Sequence, residues 1–198
     1  MKRLFDILAA CAGLIFLSPV LLATALAILA LDGQPVLFFH ERVGRGGRTF
    51  KMIKFRTMTV RHGGGIDGFD AGDCQRVTAV GRFLRRSKLD ELPQLWNVLS
   101  GDMSLVGPRP EVRAWTRVYP QRWRLVHTVR PGITDPAAIV FRNEEEILAA
   151  AADPEKSYRL DVLPRKLDMY EAYVRGHTFS GDLRILWQTL LEVLRGIR

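Results

Sequence analysis

The chain has 198 residues, 47% of them hydrophobic, and carries 29 Lys and Arg against 21 Asp and Glu for a formal net charge of +8. That length suits one compact domain plus a membrane segment and leaves no room for a second independent fold. The excess cations suit anionic lipid or phosphorylated substrates; they are scattered among Gly- and Pro-containing motifs rather than gathered on one helix with interleaved aromatics, which argues against nucleic acid.

From Ile7 to Leu31 no charged residue occurs. At about 1.5 Å rise per residue this run is long enough to cross a bilayer core of ~30 Å. A cleaved signal peptide is not expected, because the apolar run is too long and leads through Asp32-Gly33-Gln34-Pro35 directly into a motif-rich region. Ser18-Pro19 falls near the middle, and proline removes a backbone donor and clashes with the preceding turn, so two half-helices are predicted. Lys2 and Arg3 lie before the run, and Arg42, Arg45, Arg48 and Lys51 after it. Cations on both sides favour both ends on the cytoplasmic face, a re-entrant hairpin; a kinked helix that spans is the alternative.

Val36 to Glu41 reads as a short strand, Arg42 to Arg48 as a glycine-rich turn, and Phe50 to Met58 as a second strand that points Lys51 or Lys54 and Arg56 toward an anionic ligand or simply toward solvent or lipid. Arg61 to Gln75 is rich in Gly and Asp and reads as a loop; Asp67, Asp70 and Asp73 lack the spacing of a calcium loop and are assigned no metal. Thr78 to Arg86 is predicted helical, carrying Arg82, Arg85 and Arg86 toward the segment that follows.

That segment, Ser87 to Pro110, is the most informative part of the chain. Asp90 and Glu91 precede Leu92-Pro93, and proline is favoured at the first position of a helix, here predicted from Pro93 to about Leu99 with Ser100-Gly101 as its stop. Acids placed before a helix start are held ionised by the dipole and suit a divalent cation or attack on phosphorus; the same pair also serves as ordinary helix-start acids. In Gly107-Pro108-Arg109-Pro110 both prolines restrict the backbone, so the Arg109 guanidinium is preset for bidentate phosphate binding or for bonding to carbonyls of a turn.

Glu111 to Val126 is predicted helical, with Trp115, Tyr119 and Trp123 forming an aromatic stripe for core or membrane-interface packing. Arg130-Pro131-Gly132-Ile133-Thr134 is a second stiff turn bearing a cation. Glu144 to Ala152 and Pro164 to Val174 read as further helices, and Ser180-Gly181-Asp182 as the cap of a last one. On it, Leu183, Leu186, Trp187, Leu190, Leu191 and Leu194 share a face suited to the domain core or the membrane interface. No repeat or low-complexity tract occurs. Cys11 lies in the apolar run and Cys74 in a polar stretch, with no metal-binding spacing, which indicates a reducing compartment.

Taken together, Lys2-Arg3-Leu4-Phe5-Asp6, Lys54-Phe55-Arg56-Thr57-Met58, Gly81-Arg82-Phe83-Leu84-Arg85, the acid-pair segment and Arg130-Pro131-Gly132-Ile133-Thr134 resemble, in order and over nearly the full chain, the bacterial sugar transferases. These are monotopic phosphoglycosyl transferases that load a sugar phosphate onto a polyprenol phosphate. The resemblance implies an α+β, mainly helical fold: a re-entrant helix over residues 1–32, broken at Ser18 and Pro19, and a catalytic domain over 33–198 with short strands and amphipathic helices. It also implies a place at the cytoplasmic face of a bacterial inner membrane. The implied reaction moves a sugar 1-phosphate from a UDP-sugar to undecaprenyl phosphate and releases UMP, with Mg²⁺ as cofactor. In it Asp90 is nucleophile and metal ligand, Glu91 assists, and Lys54, Arg85, Arg109 with its flanking Pro108 and Pro110, and Arg130 contact phosphate or nucleotide. Asp135-Pro136-Ala137-Ala138 departs from the Gly- and Gln-containing continuation of many relatives, which bears on the sugar and leaves the acid pair untouched. A homo-oligomer is compatible with the sequence. The competing reading is a non-catalytic basic membrane module that recruits anionic lipid or a glycan-assembly partner; a transferase with several membrane spans does not fit a single long apolar run.

Overall fold

A computed structural model describes residues 1–59 and 76–197; the loop expected at 61–75, with Asp67, Asp70, Asp73 and Cys74, lies outside the described residues. The chain is mainly helical with two small two-stranded sheets.

Helices α1 (Lys2–Phe16) and α2 (Ser18–Leu31) meet at a bend of 59°, and no single described helix is long and apolar enough to cross a membrane. Pro19 has no N–H to give the Ile15 carbonyl one turn back, and the Ser18 hydroxyl donates to that oxygen instead at 2.7 Å. Both helices leave apolar side chains exposed, among them Leu8, Ile15, Phe16, Leu22, Leu26 and Leu29. Their inner face is narrow: Ala10 packs with Met52, Leu95, Val98 and Met103, and Ile28 with Phe55 and Leu84.

Strands β1 (Leu37–Val43) and β2 (Thr49–Phe55) form an antiparallel hairpin in which Phe38 faces Lys54 and Val43 faces Thr49. β1 therefore runs two residues past its predicted end, and β2 stops before Arg56. The Arg56 side chain is buried and donates to the carbonyls of Asp32, Gly33 and Gln34 at 2.7–2.9 Å, so it ties down the exit from α2 and offers no cation to a ligand. Helix α3 (Ala79–Ser87) is capped by the Thr78 hydroxyl, which accepts from Gly81 N–H, and ends at Lys88 in the left-handed conformation.

After α4 (Gln94–Ser100), strand β3 (Ser104–Val106) pairs in parallel with β4 (Gly132–Thr134). The single helix expected over 111–126 is two, α5 (Arg113–Thr116) and α6 (Pro120–Val126). Pro120 excludes helical geometry from the residue before it, and Tyr119 accordingly sits at φ −128°, ψ 65°. The aromatic stripe is core packing: Trp123 is buried with Val126, Leu148, Tyr158, Leu167 and Tyr170, and Trp115 and Tyr119 pack against that cluster. Short helices α7 (Pro136–Val140), α8 (Glu144–Ala149) and α9 (Pro154–Ser157) lead through a π-turn to α10 (Leu163–Gly176) and α11 (Phe179–Ile197). Thr178, rather than Ser180 or Asp182, caps α11, accepting from Gly181 N–H at 3.1 Å. Leu183, Trp187, Leu190, Leu191 and Leu194 remain exposed, so this face does not pack on the core.

Candidate active site

Asp90 and Glu91 lie in a tight 3-10 turn, Leu89–Glu91, between α3 and α4; Pro93 is the cap of α4 rather than its first residue. The left-handed Lys88 reverses the chain and aims this turn at the hairpin. Asn97 fixes the distance from below: its amide accepts from Ile53 N–H and donates to the Lys51 carbonyl, both at 2.9 Å, so α4 is tied directly to the backbone of β2.

Lys54 is consequently 2.8 Å from Glu91 Oε1. Arg109 reaches the same carboxylate from the other side, with Nη1 at 3.1 Å from Oε2 and Nη2 on Oε1. Burial alone would raise the Glu91 carboxyl, but the fork of Arg109 and the ammonium of Lys54 outweigh it and hold the group well below the usual carboxylate range. Lys54 itself is pushed down by burial despite Glu91, and Arg109 is pushed further up by Glu91. Two cations on one carboxylate leave a surplus of positive charge there.

Asp90 is the opposite case. Its side chain is buried and its Oδ1 has no hydrogen-bond partner. Burial pushes its carboxyl up, with Glu91 adding to the rise while Lys54, Lys88 and Arg109 oppose it. At Asp90 desolvation is thus the largest influence, and the turn that carries it is set back from the start of α4.

The orphaned carboxylate oxygen of Asp90 is free to ligate a cation or attack a phosphorus centre, and the positive charge of Lys54 and Arg109 beside it suits the anionic phosphates of a substrate. Among the described residues no group of three or more His, Cys, Asp or Glu gathers to hold a metal. Asp90 and Glu91 could therefore offer a hard cation one or two carboxylates at most, with substrate phosphates and water supplying the remaining ligands, a set compatible with the way Mg²⁺ is commonly bound.

The Arg109 turn is set by its backbone. Pro108 and Pro110 are buried, and Gly107 lies so close to the β4 turn that a Cβ on it would come within 2.5 Å of the Arg130 carbonyl. Gly107 N–H donates to the Thr134 carbonyl and Gly132 N–H to the Pro108 carbonyl. At its far end the Pro110 carbonyl faces Arg42, which also pairs with Glu111.

Not every predicted cation joins this cluster. Arg85 Nε donates to the Thr57 hydroxyl at 3.0 Å, on the strand side of α3. Arg130 donates to the Gly101 carbonyl at 2.9 Å and has Arg3 and Arg45 as charged neighbours. Ser18 and Pro19 serve the bend and touch none of the acids. Sequence reading passed over Lys88, Gln94, which is wholly buried with both amide atoms unpartnered, and Asn97. The available signal was polar side chains on an otherwise apolar face of a short helix.

The sequence matches the family described as bacterial sugar transferase over residues 1–196. It is 37% identical over 201 residues to the UDP-N-acetylgalactosamine-undecaprenyl-phosphate N-acetylgalactosaminephosphotransferase of Aeromonas hydrophila, covering 98% of this chain and 44% of that one. It is 39% identical over 195 residues to the UDP-glucose:undecaprenyl-phosphate glucose-1-phosphate transferase of Klebsiella pneumoniae, covering 96% and 39%. The uncharacterized sugar transferase EpsL of Bacillus subtilis is 40% identical over 194 residues, covering 98% and 87%. The chain thus spans less than half of the first two relatives and most of the third. With motifs in order and nearly every residue inside the match, the chain belongs to the bacterial sugar transferase family.

Proposed function

We propose that the protein transfers a sugar 1-phosphate from a UDP-sugar to undecaprenyl phosphate in two steps through an aspartyl phosphosugar. The observation that carries this reading is the buried, unpartnered Asp90 Oδ1 beside a Glu91 already committed to Lys54 and Arg109. In the first step an Asp90 oxygen attacks the sugar-bearing phosphorus, and the bond from that phosphorus to the bridging oxygen of UMP breaks, with UMP keeping the electron pair. In the second, an oxygen of the lipid phosphate attacks the same phosphorus and the Asp90 carboxylate leaves.

Burial that raises the Asp90 carboxyl also makes its anion a stronger nucleophile once ionised. Asp90, with Glu91 beside it, would hold Mg²⁺, whose charge neutralises the diphosphate and favours the ionised acid. Arg109 and Lys54, paired with Glu91 beside Asp90, would supply fixed donors to the negative charge that gathers in transfer. Glu91, kept ionised by both, orients them and positions the lipid phosphate. Arg85 and Arg130 stand further out, as contacts for the nucleotide.

The same reading places the α1–α2 pair as a re-entrant segment in the cytoplasmic leaflet of a bacterial inner membrane. The 59° bend and the exposed apolar side chains of both halves support it, and the exposed apolar face of α11 suits the interface. Site and lipid phosphate would then meet at headgroup level. Labelling of an N-terminal tag from the periplasmic side of intact spheroplasts would overturn this topology.

The test is UMP release by nanodisc-held protein with Mg²⁺, undecaprenyl phosphate and a panel of UDP-sugars, beside Asp90→Asn. Release that needs lipid, metal and Asp90 is expected, with the variant at least about 10³-fold slower yet folded. No release with any donor would favour the non-catalytic membrane module, and full activity of Asp90→Asn would remove the covalent step.

A further inference from the structure

Two side chains from distant parts of the sequence, Lys2 and Tyr173, converge on the Val106 carbonyl, and a third, Asp182, holds both of them. Lys2 Nζ lies 2.9 Å from the Val106 carbonyl oxygen and 2.5 Å from Asp182 Oδ2. The Tyr173 hydroxyl lies 2.8 Å from Asp182 Oδ1, 3.1 Å from the Val106 carbonyl oxygen and 3.3 Å from Lys2 Nζ. A phenol has one proton, and the carboxylate is the stronger acceptor, so Tyr173 donates to Asp182 and the three-proton ammonium of Lys2 secures the carbonyl. Asp182 and Val106 are buried, and the Lys2 side chain is 32% exposed, so the arrangement is largely shielded from competing water. Alongside it the Phe5 and Phe179 rings meet edge-on at 5.3 Å, which joins the first turn of α1 to the start of α11 a second time.

Val106 immediately precedes Gly107-Pro108-Arg109-Pro110. The rest of α1's first turns grips the lead-in to it: Arg3 donates to the Val98 and Leu99 carbonyls at the end of α4, and Asp6 accepts from the Ser104 hydroxyl and Leu105 N–H. β4 fixes one side of the Arg109 turn through Gly107 N–H and the Pro108 carbonyl. The Lys2 ammonium fixes it at Val106. Between Val106 and Arg109 lie only Gly107, held on β4 through its N–H, and Pro108, whose ring fixes φ, so a shift of Val106 is passed on to Arg109 with little slack.

We propose that Lys2, Tyr173 and Asp182 are positioning residues for Arg109, so that the seating of the apolar N-terminal helix sets the geometry of the phosphate-facing guanidinium. The inference rests on the reading of Arg109 as a phosphate contact. Misplacing such a group by about 1 Å is enough to slow a reaction by about 100-fold. The loss of one of several holding bonds should cost less, about tenfold.

The experiment uses the full chain in nanodiscs with Lys2→Met, Tyr173→Phe and Lys2→Arg, each made in the wild-type and in the Arg109→Ala background. Lys2→Met and Tyr173→Phe should each lower kcat/KM about tenfold in the wild-type background and less than about twofold when Arg109 is already absent. Lys2→Arg, which keeps a cation at the carbonyl, should recover most of the loss. Equal losses in both backgrounds would mean that Lys2 and Tyr173 act independently of Arg109, and would overturn the proposal. Hydrogen exchange over Ser104–Arg109 gives a readout that needs no turnover: exchange should quicken there in Lys2→Met and stay unchanged in α10 and the hairpin. Unchanged exchange at Ser104–Arg109, or quickening spread evenly along the chain, would overturn the proposal as well. If the wild type releases no UMP while exchange responds as expected, the transferase reading fails and the positioning network stands.

Discussion

Arg109 and Arg130 both sit beside proline in stiff turns that touch one another through Gly107 and Gly132, yet their surroundings differ in sign. Arg109 forks onto Glu91, which also takes Lys54, and its guanidinium is pushed further toward the charged state by that carboxylate. Arg130 has a carbonyl for its partner, and burial together with Arg3 and Arg45 pushes it down. Proline determines where each backbone goes; a carboxylate far away in sequence determines what each cation can do. Arg109 therefore does more than bond to the carbonyls of a proline-rich turn, because its partner is a carboxylate, whereas the partner of Arg130 is the Gly101 carbonyl.

The contrast is broken most severely by Arg109→Ala. Glu91 then keeps only Lys54, and the cluster loses the fork that faces the proposed reacting phosphate. We expect kcat/KM for UMP release to fall about 100- to 1,000-fold, the usual cost of removing one fixed donor from developing charge. Thermal unfolding should also occur at lower temperature, since a mostly buried carboxylate loses one of its two cations. A loss under about threefold would put Arg109 on a par with Arg130.

The turn holding Arg109 has a second anchor at Glu111. Glu111 accepts from Arg42 at 2.7 Å, the Tyr158 hydroxyl at 2.6 Å and Val112 N–H at 2.8 Å, just beyond Pro110. Burial alone would raise this carboxyl, but Arg42, Lys166 and the hydrogen bonds together bring it below its ordinary value of 4.5. The folded state therefore binds its proton less readily than the unfolded chain. The stabilisation from this group is fully present above about pH 4.5 and is lost as pH falls through the lower, folded value. Glu111→Gln should lower stability by about 2 kcal/mol at neutral pH and flatten the acid limb of the stability curve, measured by denaturant unfolding from pH 3 to 7. An acid limb as steep as that of the wild type would remove Glu111 as its source.

Local signals carried much of this into the sequence. The Ser18-Pro19 break follows from the missing donor of proline, and the aromatic stripe from a helical repeat that survives the interruption at Pro120. Neighbours in sequence also found the acid pair. What the sequence did not disclose is which carboxylate the cations serve. Lys54, Glu91 and Arg109 meet only because Asn97 binds the backbone of β2 and Gly107 lets β3 and β4 close. Such contacts leave no periodic trace. The same holds for Asp182, whose place near a helix start reads as a cap, although Thr178 makes the cap and Asp182 turns inward to Lys2 and Tyr173. Arg56 reads as a ligand-facing cation for an equivalent reason: strand alternation says which way a side chain points, not that three carbonyls wait there.

The smallest effect is expected at Arg130, and its size decides how far the contrast extends. Arg130→Ala removes one hydrogen bond to the Gly101 carbonyl, worth about 1 kcal/mol, and at the same time relieves repulsion from Arg3 and Arg45. The two changes oppose each other, so stability should move by less than about 1 kcal/mol. The rate of UMP release should change by no more than about threefold if Arg130 touches only the outer part of the nucleotide. Its loss should then appear in KM for the UDP-sugar, with kcat unchanged, because an interaction equally strong in ground and transition states affects binding alone. A fall in kcat comparable to that of Arg109→Ala would mean that the Arg130 turn swings onto the reacting phosphate when substrate binds, and that the difference between the two arginines belongs to the free protein only.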